Sequence, residues 1–109
     1  MAYDEGTAQR LRDALAGVPD VQEKKMFGGL CLMVRGHMLC GVTGVDLMVR
    51  VGPDGYADAL ARPHAREMDF TGKPLKGFVY VAEAGFEDDQ DLDAWVARAM
   101  AFNESQPAK

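Results

Sequence analysis

The sequence predicts an α+β domain in two layers, an antiparallel sheet with helices packed against it. Three observations carry this reading. Apolar residues recur at helical spacing near both ends of the chain, as Ala8, Leu11 and Leu15 and as Leu92, Trp95, Val96, Ala99 and Met100. Between them lie short runs of strand formers, among them Leu47 to Val51 and Phe78 to Ala82. Several runs are joined by tight glycine-bearing turns, and strands joined that way run antiparallel.

At 109 residues the chain is expected to form one domain, 1–109, with one modest core. Residues 4–17 are predicted as the first helix, capped by Asp4 and stopped by Gly17 with Pro19 close behind. Residues 20–27 read as an extended connector able to hold a short edge strand, with the lysines that natural edges use to repel other strands. Gly28-Gly29 lets the backbone bend before a hairpin whose two apolar runs meet at Gly36-His37, a pair suited to a type II′ turn. That register sets Arg35 opposite Met38, Met33 opposite Cys40 and Cys31 opposite Val42. One face then carries Cys31, Met33, Arg35, Met38, Cys40 and Val42, and the other Leu30, Leu32, Val34, Leu39, Gly41 and Thr43.

A turn at Val45 leads to the third strand, Leu47 to Val51, with Arg50 on its less buried side. Gly52-Pro53-Asp54 starts a short helix through Tyr56, Ala59 and Leu60. A very short strand around residues 66–70 follows, then a glycine-flanked loop over 71–77 and the strand from Phe78. The last helix begins at Asp88-Asp89, acidic in its first turn, and ends at Phe102 or Asn103. The tail 104–109 is expected to be loose. The predicted order is helix, three strands, helix, two strands, helix (α-β3-α-β2-α).

Both faces of the hairpin are mostly apolar, so each needs a cover. The helices supply one. The other is expected to stand open for a protein partner or a second copy of the chain, as a homodimer. Seven methionines suit an adaptable contact surface as well as an irregular core. The predicted surface includes Phe27, Gly28, Gly29, Met33, Met38 and Arg50, with Lys73 and Lys76 at its margin.

Net charge is −5, which disfavours direct nucleic-acid binding, since phosphate neutralisation supplies most of such affinity. Only Arg62 to Lys76 is locally basic, and a weak nucleic-acid contact there is the remaining alternative. No apolar run approaches the roughly 20 residues that span a bilayer, and the N-terminus lacks a signal-peptide pattern. No membrane partner and a cytoplasmic location are therefore expected.

Chemistry is sparsely signalled. Cys31, His37 and Cys40 match no metal-ligand spacing. No base can be read beside Cys40. Gly28-Gly29 and Thr71-Gly72-Lys73 fit neither the P-loop nor the dinucleotide fingerprint. Asp88, Asp89, Asp91 and Asp93 lack the glycine and glutamate of a calcium loop. The two cysteines fall on a diagonal of one face, ~7–8 Å apart, too far for a disulfide, and are expected as buried free thiols. No catalytic residue, metal or cofactor is expected. The rival reading is a small anionic-ligand binder or enzyme gathering Lys25, Arg50, Asp69, Thr71 and Lys73.

The segments Lys24-Lys25-Met26-Phe27-Gly28-Gly29, Met38-Leu39-Cys40-Gly41-Val42, Leu47-Met48-Val49-Arg50-Val51-Gly52 and Met68 through Lys73-Pro74-Leu75-Lys76-Gly77 to Val81 resemble the TfoX/Sxy N-terminal domain family. The resemblance runs from about residue 3 to residue 103, with its motifs in order. It implies a two-layer domain of the secretion-chaperone-like kind. It also implies kinship with regulators of natural competence, which act with a cyclic-AMP-responsive activator at promoters. Full-length regulators of that type carry a second, C-terminal domain, and this chain is read as a stand-alone N-terminal domain. The resemblance brings no catalytic residues. Relatives are occasionally labelled RNA methyltransferases, and no cofactor fingerprint here supports that label. The expectation is a non-enzymatic, regulatory, TfoX/Sxy-like module that acts by protein–protein contact.

Overall fold

Each run of strand-forming residues finds an antiparallel neighbour. A computed structural model describes residues 3–69 and 72–107. Its elements are α1 (Glu5–Ala14), β1 (Gln22–Met26), β2 (Gly29–Val34), β3 (His37–Thr43), β4 (Asp46–Arg50), α2 (Tyr56–Leu60), β5 (Ala65–Glu67), β6 (Phe78–Val81), a 3-10 turn at Glu83–Gly85, and α3 (Asp89–Ser105). The strands form one sheet in the order β1-β2-β3-β4-β6-β5. The fold class is α+β. The connector at 20–27 holds the edge strand Gln22–Met26, so four strands rather than three precede the second helix. Phe70 and Thr71, assigned above to the short strand and the loop, lie outside the described residues, as do Ala108 and Lys109.

The helices begin where their caps dictate. Asp4 accepts hydrogen bonds from the Thr7 backbone N–H at 2.9 Å and the Thr7 hydroxyl at 2.8 Å, satisfying an otherwise unpaired donor of the first turn. The stripe of α3 buries Leu92, Trp95, Val96 and Ala99 as expected, and continues to Asn103. The helix runs on to Ser105, so Glu104 and Ser105 belong to it rather than to a loose tail. Pro107 is held as well, its carbonyl 2.8 Å from His37 Nε2.

All three helices contribute to one core, shared with Leu30, Leu32, Val34, Leu39, Cys40, Val42, Leu47, Val49, Val79 and Val81 of the sheet. At the β1 edge Arg12 of α1 bonds Glu23 at 2.8 and 3.1 Å, tying the helix layer to the outermost strand.

Three features of the hairpin correct the sequence reading. The turn is Arg35-Gly36, not Gly36-His37. Both residues have positive φ, +57° and +82°, and Val34 pairs with His37, the geometry of a type I′ turn. Arginine tolerates that left-handed backbone here because its guanidinium donates to the Asn103 carbonyl at 2.8 Å. Second, the β2–β3 register shifts between Leu32 and Met33: Met33 faces Met38, while Leu32 faces Cys40 and Leu30 faces Val42. Leu39 is the extra residue of a bulge. It turns Cys40 and Val42 toward the helices and brings Gly41 opposite Cys31. Cys31 and Cys40 therefore lie on opposite sides of the sheet, though both are free buried thiols.

Third, the far side of the sheet is not left open. Cys31, Met38, Met48, Met68 and Tyr80 form a second buried cluster, against which Met26, Phe27, Met33, Leu75 and Phe78 pack. Met68 and Leu75, at either end of the segment between β5 and β6, fold over the sheet, held together by the Leu75 N–H to Met68 carbonyl bond at 2.8 Å. Among the described residues Val45, about half exposed, is the one large hydrophobic side chain that stands out in solvent. The expectation of an uncovered apolar face gives way to a sheet with a core on each side.

Candidate functional site

What remains of the far face is a hollow of about 230 Å³ at one end of the sheet. Met26 and Phe27 reach it from the β1–β2 turn, Met33 from β2, Met38 from β3, Arg50 from the end of β4 and Phe78 from the start of β6. Register explains the gathering. Met33 faces Met38 across one strand pair and Arg50 faces Phe78 across another. Phe27 sits at φ +56° in a tight turn, which directs its ring toward Phe78, centroid to centroid 6.4 Å at 57°.

Arg50 is the one charged side chain in the hollow. Its guanidinium carbon lies 5.2 Å from the centroid of the Phe78 ring and 5.4 Å from that of Phe102, both within cation–π range. Phe102 is seated there by Gly52, at φ +81°, where a side chain would strike the ring. Partial burial pulls the Arg50 pKa below its ordinary value, although arginine stays charged in proteins.

The other arginines show what is unusual here. Arg10 pairs with Asp89, Arg12 with Glu5 and Glu23, Arg66 with Asp46, and Arg98 with Asp58. Arg35 bonds a carbonyl, and Arg62 is exposed. Arg50 is half-buried, and among the described residues no carboxylate lies within ion-pair distance of it.

Of the residues singled out in the sequence, Phe27, Met33, Met38 and Arg50 come together in this hollow. Gly28 is exposed in the turn beside it at φ +73°. Gly29 is buried against the backbone of Thr43, where a Cβ would come within 2.8 Å of Thr43 Cα, so it is a packing residue and not a surface one. Lys73 and Lys76 are exposed on the segment between β5 and β6 and do not line the hollow. The rival set does not converge. Lys25 pairs with Leu30 and so points to the helix side of the sheet, away from Arg50, and Thr71 lies outside the described residues.

The thiols are poor nucleophiles. Burial pushes Cys31 up to about 11 and Cys40 up to about 12, with Cys31 adding to the latter. Cys31 Sγ is 3.8 Å from the Met26 carbonyl, as a weak donor. Among the described residues no group of three or more His, Cys, Asp and Glu side chains is placed to hold a metal ion. No described helix is long and apolar enough to cross a membrane. A second hollow, of about 280 Å³, lies on the helix side near His64, Gly85, Trp95 and Arg98. Its Arg98 is committed to Asp58 at 2.8 Å.

Sequence reasoning missed Asn103, which is 1% exposed. Its side-chain N–H donates to the Val34 carbonyl at 2.9 Å, and its own carbonyl receives Arg35. It clamps α3 to the hairpin turn. The available signal was a polar residue on an apolar helical stripe.

A six-stranded antiparallel sheet backed by helices on one side, with a small cation-bearing apolar hollow on the other, defines a small α+β domain. The sequence model of the TfoX N-terminal domain family matches residues 13–103, and the chain belongs to that family. No curated protein matches the chain.

Proposed function

We propose that this domain is a non-enzymatic docking module of a regulatory kind, working in the cytoplasm, which holds a short segment of a protein partner in the hollow at Arg50. The supporting observation is the convergence of Phe27, Met33, Met38 and Arg50, from one turn and three strands, on a single concavity. Its size matters. A standard interface between folded proteins buries roughly 800 Å² per partner, and among the described residues Val45 is the one exposed large hydrophobic side chain. A hollow of about 230 Å³ suits a few side chains of a peptide segment. Methionine and phenylalanine rims adapt to such segments at little conformational cost.

The test is a photo-crosslinking amino acid in place of Met33, compared in cells with the same residue in place of the exposed Ala97 on α3. A discrete adduct formed from position 33 and absent from position 97 is expected. Identical patterns from both positions, or no adduct from position 33, would overturn the reading.

A further inference from the structure

We infer that the segment seated in this hollow is acidic as well as apolar, its carboxylate received by Arg50 while a neighbouring apolar side chain rests on Met33, Met38 and Phe27. This rests on the docking reading above and adds the chemistry of the occupant.

The first argument is the missing counter-charge. A guanidinium that is half withdrawn from water gains from an anion, and Arg50 has none among the described residues. Phe78 and Phe102 hold the cation without neutralising it. The planar fork of arginine matches a carboxylate with two parallel hydrogen bonds, and such charge-assisted bonds are about twice as strong as neutral ones.

The second argument is the adjoining surface. A further depression, of about 270 Å³, shares Met33 and Gly36 with the first and carries Lys24, Arg35 and Asp20. The two form a continuous track whose formal charges are Arg50 and Lys24 against Asp20. Arg35 borders the second depression, but its guanidinium is turned to the Asn103 carbonyl of α3. The chain as a whole carries −5. An acidic segment is therefore disfavoured over most of the surface and favoured along this track, which selects both partner and orientation.

The experiment titrates the intact chain, with carbon-13 in its methionine methyls, with two pools of short acetylated, amidated peptides. Apolar residues vary around a fixed Glu in one pool and a fixed Gln in the other. The Met33 and Met38 methyl signals and the Arg50 Nε–H are followed. The Glu pool is expected to move all three, with the Gln pool weaker by about tenfold. Arg50→Gln should erase that preference, Arg50→Lys should keep part of it, and Lys24→Gln on the exposed edge strand should weaken the Glu pool about twofold without touching the fold. Equal response to both pools overturns the acidic inference and leaves the docking reading standing. Sodium acetate that reproduces the Arg50 shift at equal concentration, with the methyls unmoved, overturns it in favour of a small anion. Silence of the methyls toward both pools overturns inference and docking reading together.

Discussion

The second core can be tested by cutting into it. Met48 is 0% exposed on the side of the sheet away from the helices. Met48→Ala removes three heavy atoms, a transfer loss of roughly 2 kcal/mol. A cavity of roughly 50 Å³ adds about 1 kcal/mol at ~24 cal/mol per Å³. Collapse would reduce that second part, but the neighbours give little room to close: Gly41, whose Cβ would lie 3.0 Å from the Met48 methyl, has no side chain to move in. We expect a loss of about 3 kcal/mol by urea unfolding at unchanged slope, and a fall in Tm of roughly 10–20 °C. Met33→Ala, at the half-buried rim, should cost about 1 kcal/mol. The wild-type midpoint should not move over about a hundredfold range of protein concentration, because the cover comes from the same chain. If Met48→Ala cost under about 1 kcal/mol, or the midpoint rose with concentration, the far face would be completed by another molecule and the reasoning would fail.

Other outcomes follow from single contacts. Gly41→Ala drives a methyl into the Leu30 carbonyl and within 3.1 Å of Cys31 Cα, so a loss of about 3 kcal/mol or failure to fold is expected; Gly44→Ala, with nothing within 4 Å but φ +56°, should cost only about 1–2 kcal/mol in the same titration. Glu23 is held below its ordinary value of 4.5 chiefly by its hydrogen bond to Arg12. Its contribution is present above that value and lost as pH falls through the lower folded one, so Glu23→Gln should be less stable by roughly 0.2–1 kcal/mol at neutral pH, with the gap closing in acid and shrinking in high salt. Neither cysteine should react with a thiol-specific dye at pH 8 until the protein unfolds, since burial pushes both well above neutrality; prompt labelling of either would contradict the buried assignment.

What the sequence disclosed and what it hid divide along local and distant causes. The helices were legible because stripe and cap are local: Asp4 caps α1, and Leu92, Trp95, Val96 and Ala99 face the core. The turn was not legible because a type I′ turn puts Arg35 in a left-handed backbone that arginine rarely adopts, here accompanied by a bond to Asn103, 68 residues away. The bulge had one local sign, a glycine inside an apolar strand, which marks a bulge or a close backbone approach; Gly41 is both near the bulge and pressed against β2. The closing of the far face was not legible, because Met68 and Leu75 do that from a segment whose own pattern is irregular. Phe27, Met33, Met38 and Arg50 can be grouped from sequence because they lie on or beside strands, and the structure gathers them round one hollow. Lys73 and Lys76 belong to an irregular segment, and sequence alone does not determine where such a loop rests; both are exposed and neither lines the hollow.

The bulge links the second core to the site. Without it, alternation would aim Cys40 and Val42 at the far face and fill it with side chains of ordinary size. With it, Gly41 leaves a gap beside Cys31, and the Met48 thioether reaches into that gap. An irregular gap is what an unbranched, polarizable side chain fills well, which accounts for Met38, Met48 and Met68 meeting there. Tyr80 extends this packing toward β5, where Arg66 lies over its ring at 4.8 Å and bonds Asp46 at 2.6 Å. That end of the face is thus closed by a paired charge. The opposite end finishes at Arg50, stacked on two rings with no carboxylate in ion-pair range among the described residues. Both arginines lie over aromatic rings, but Arg66 is exposed and paired with Asp46, whereas Arg50 is half-buried and has no carboxylate partner among the described residues. Asp46→Asn should therefore leave Arg66 unpaired and change stability only slightly, as for an exposed pair, without creating a peptide site, because Arg66 is exposed, whereas Arg50 is half-buried in a hollow lined by methionine and phenylalanine side chains. Glu-pool binding newly centred on Arg66 in that variant would show that an unpaired arginine alone suffices, and that the apolar rim is incidental.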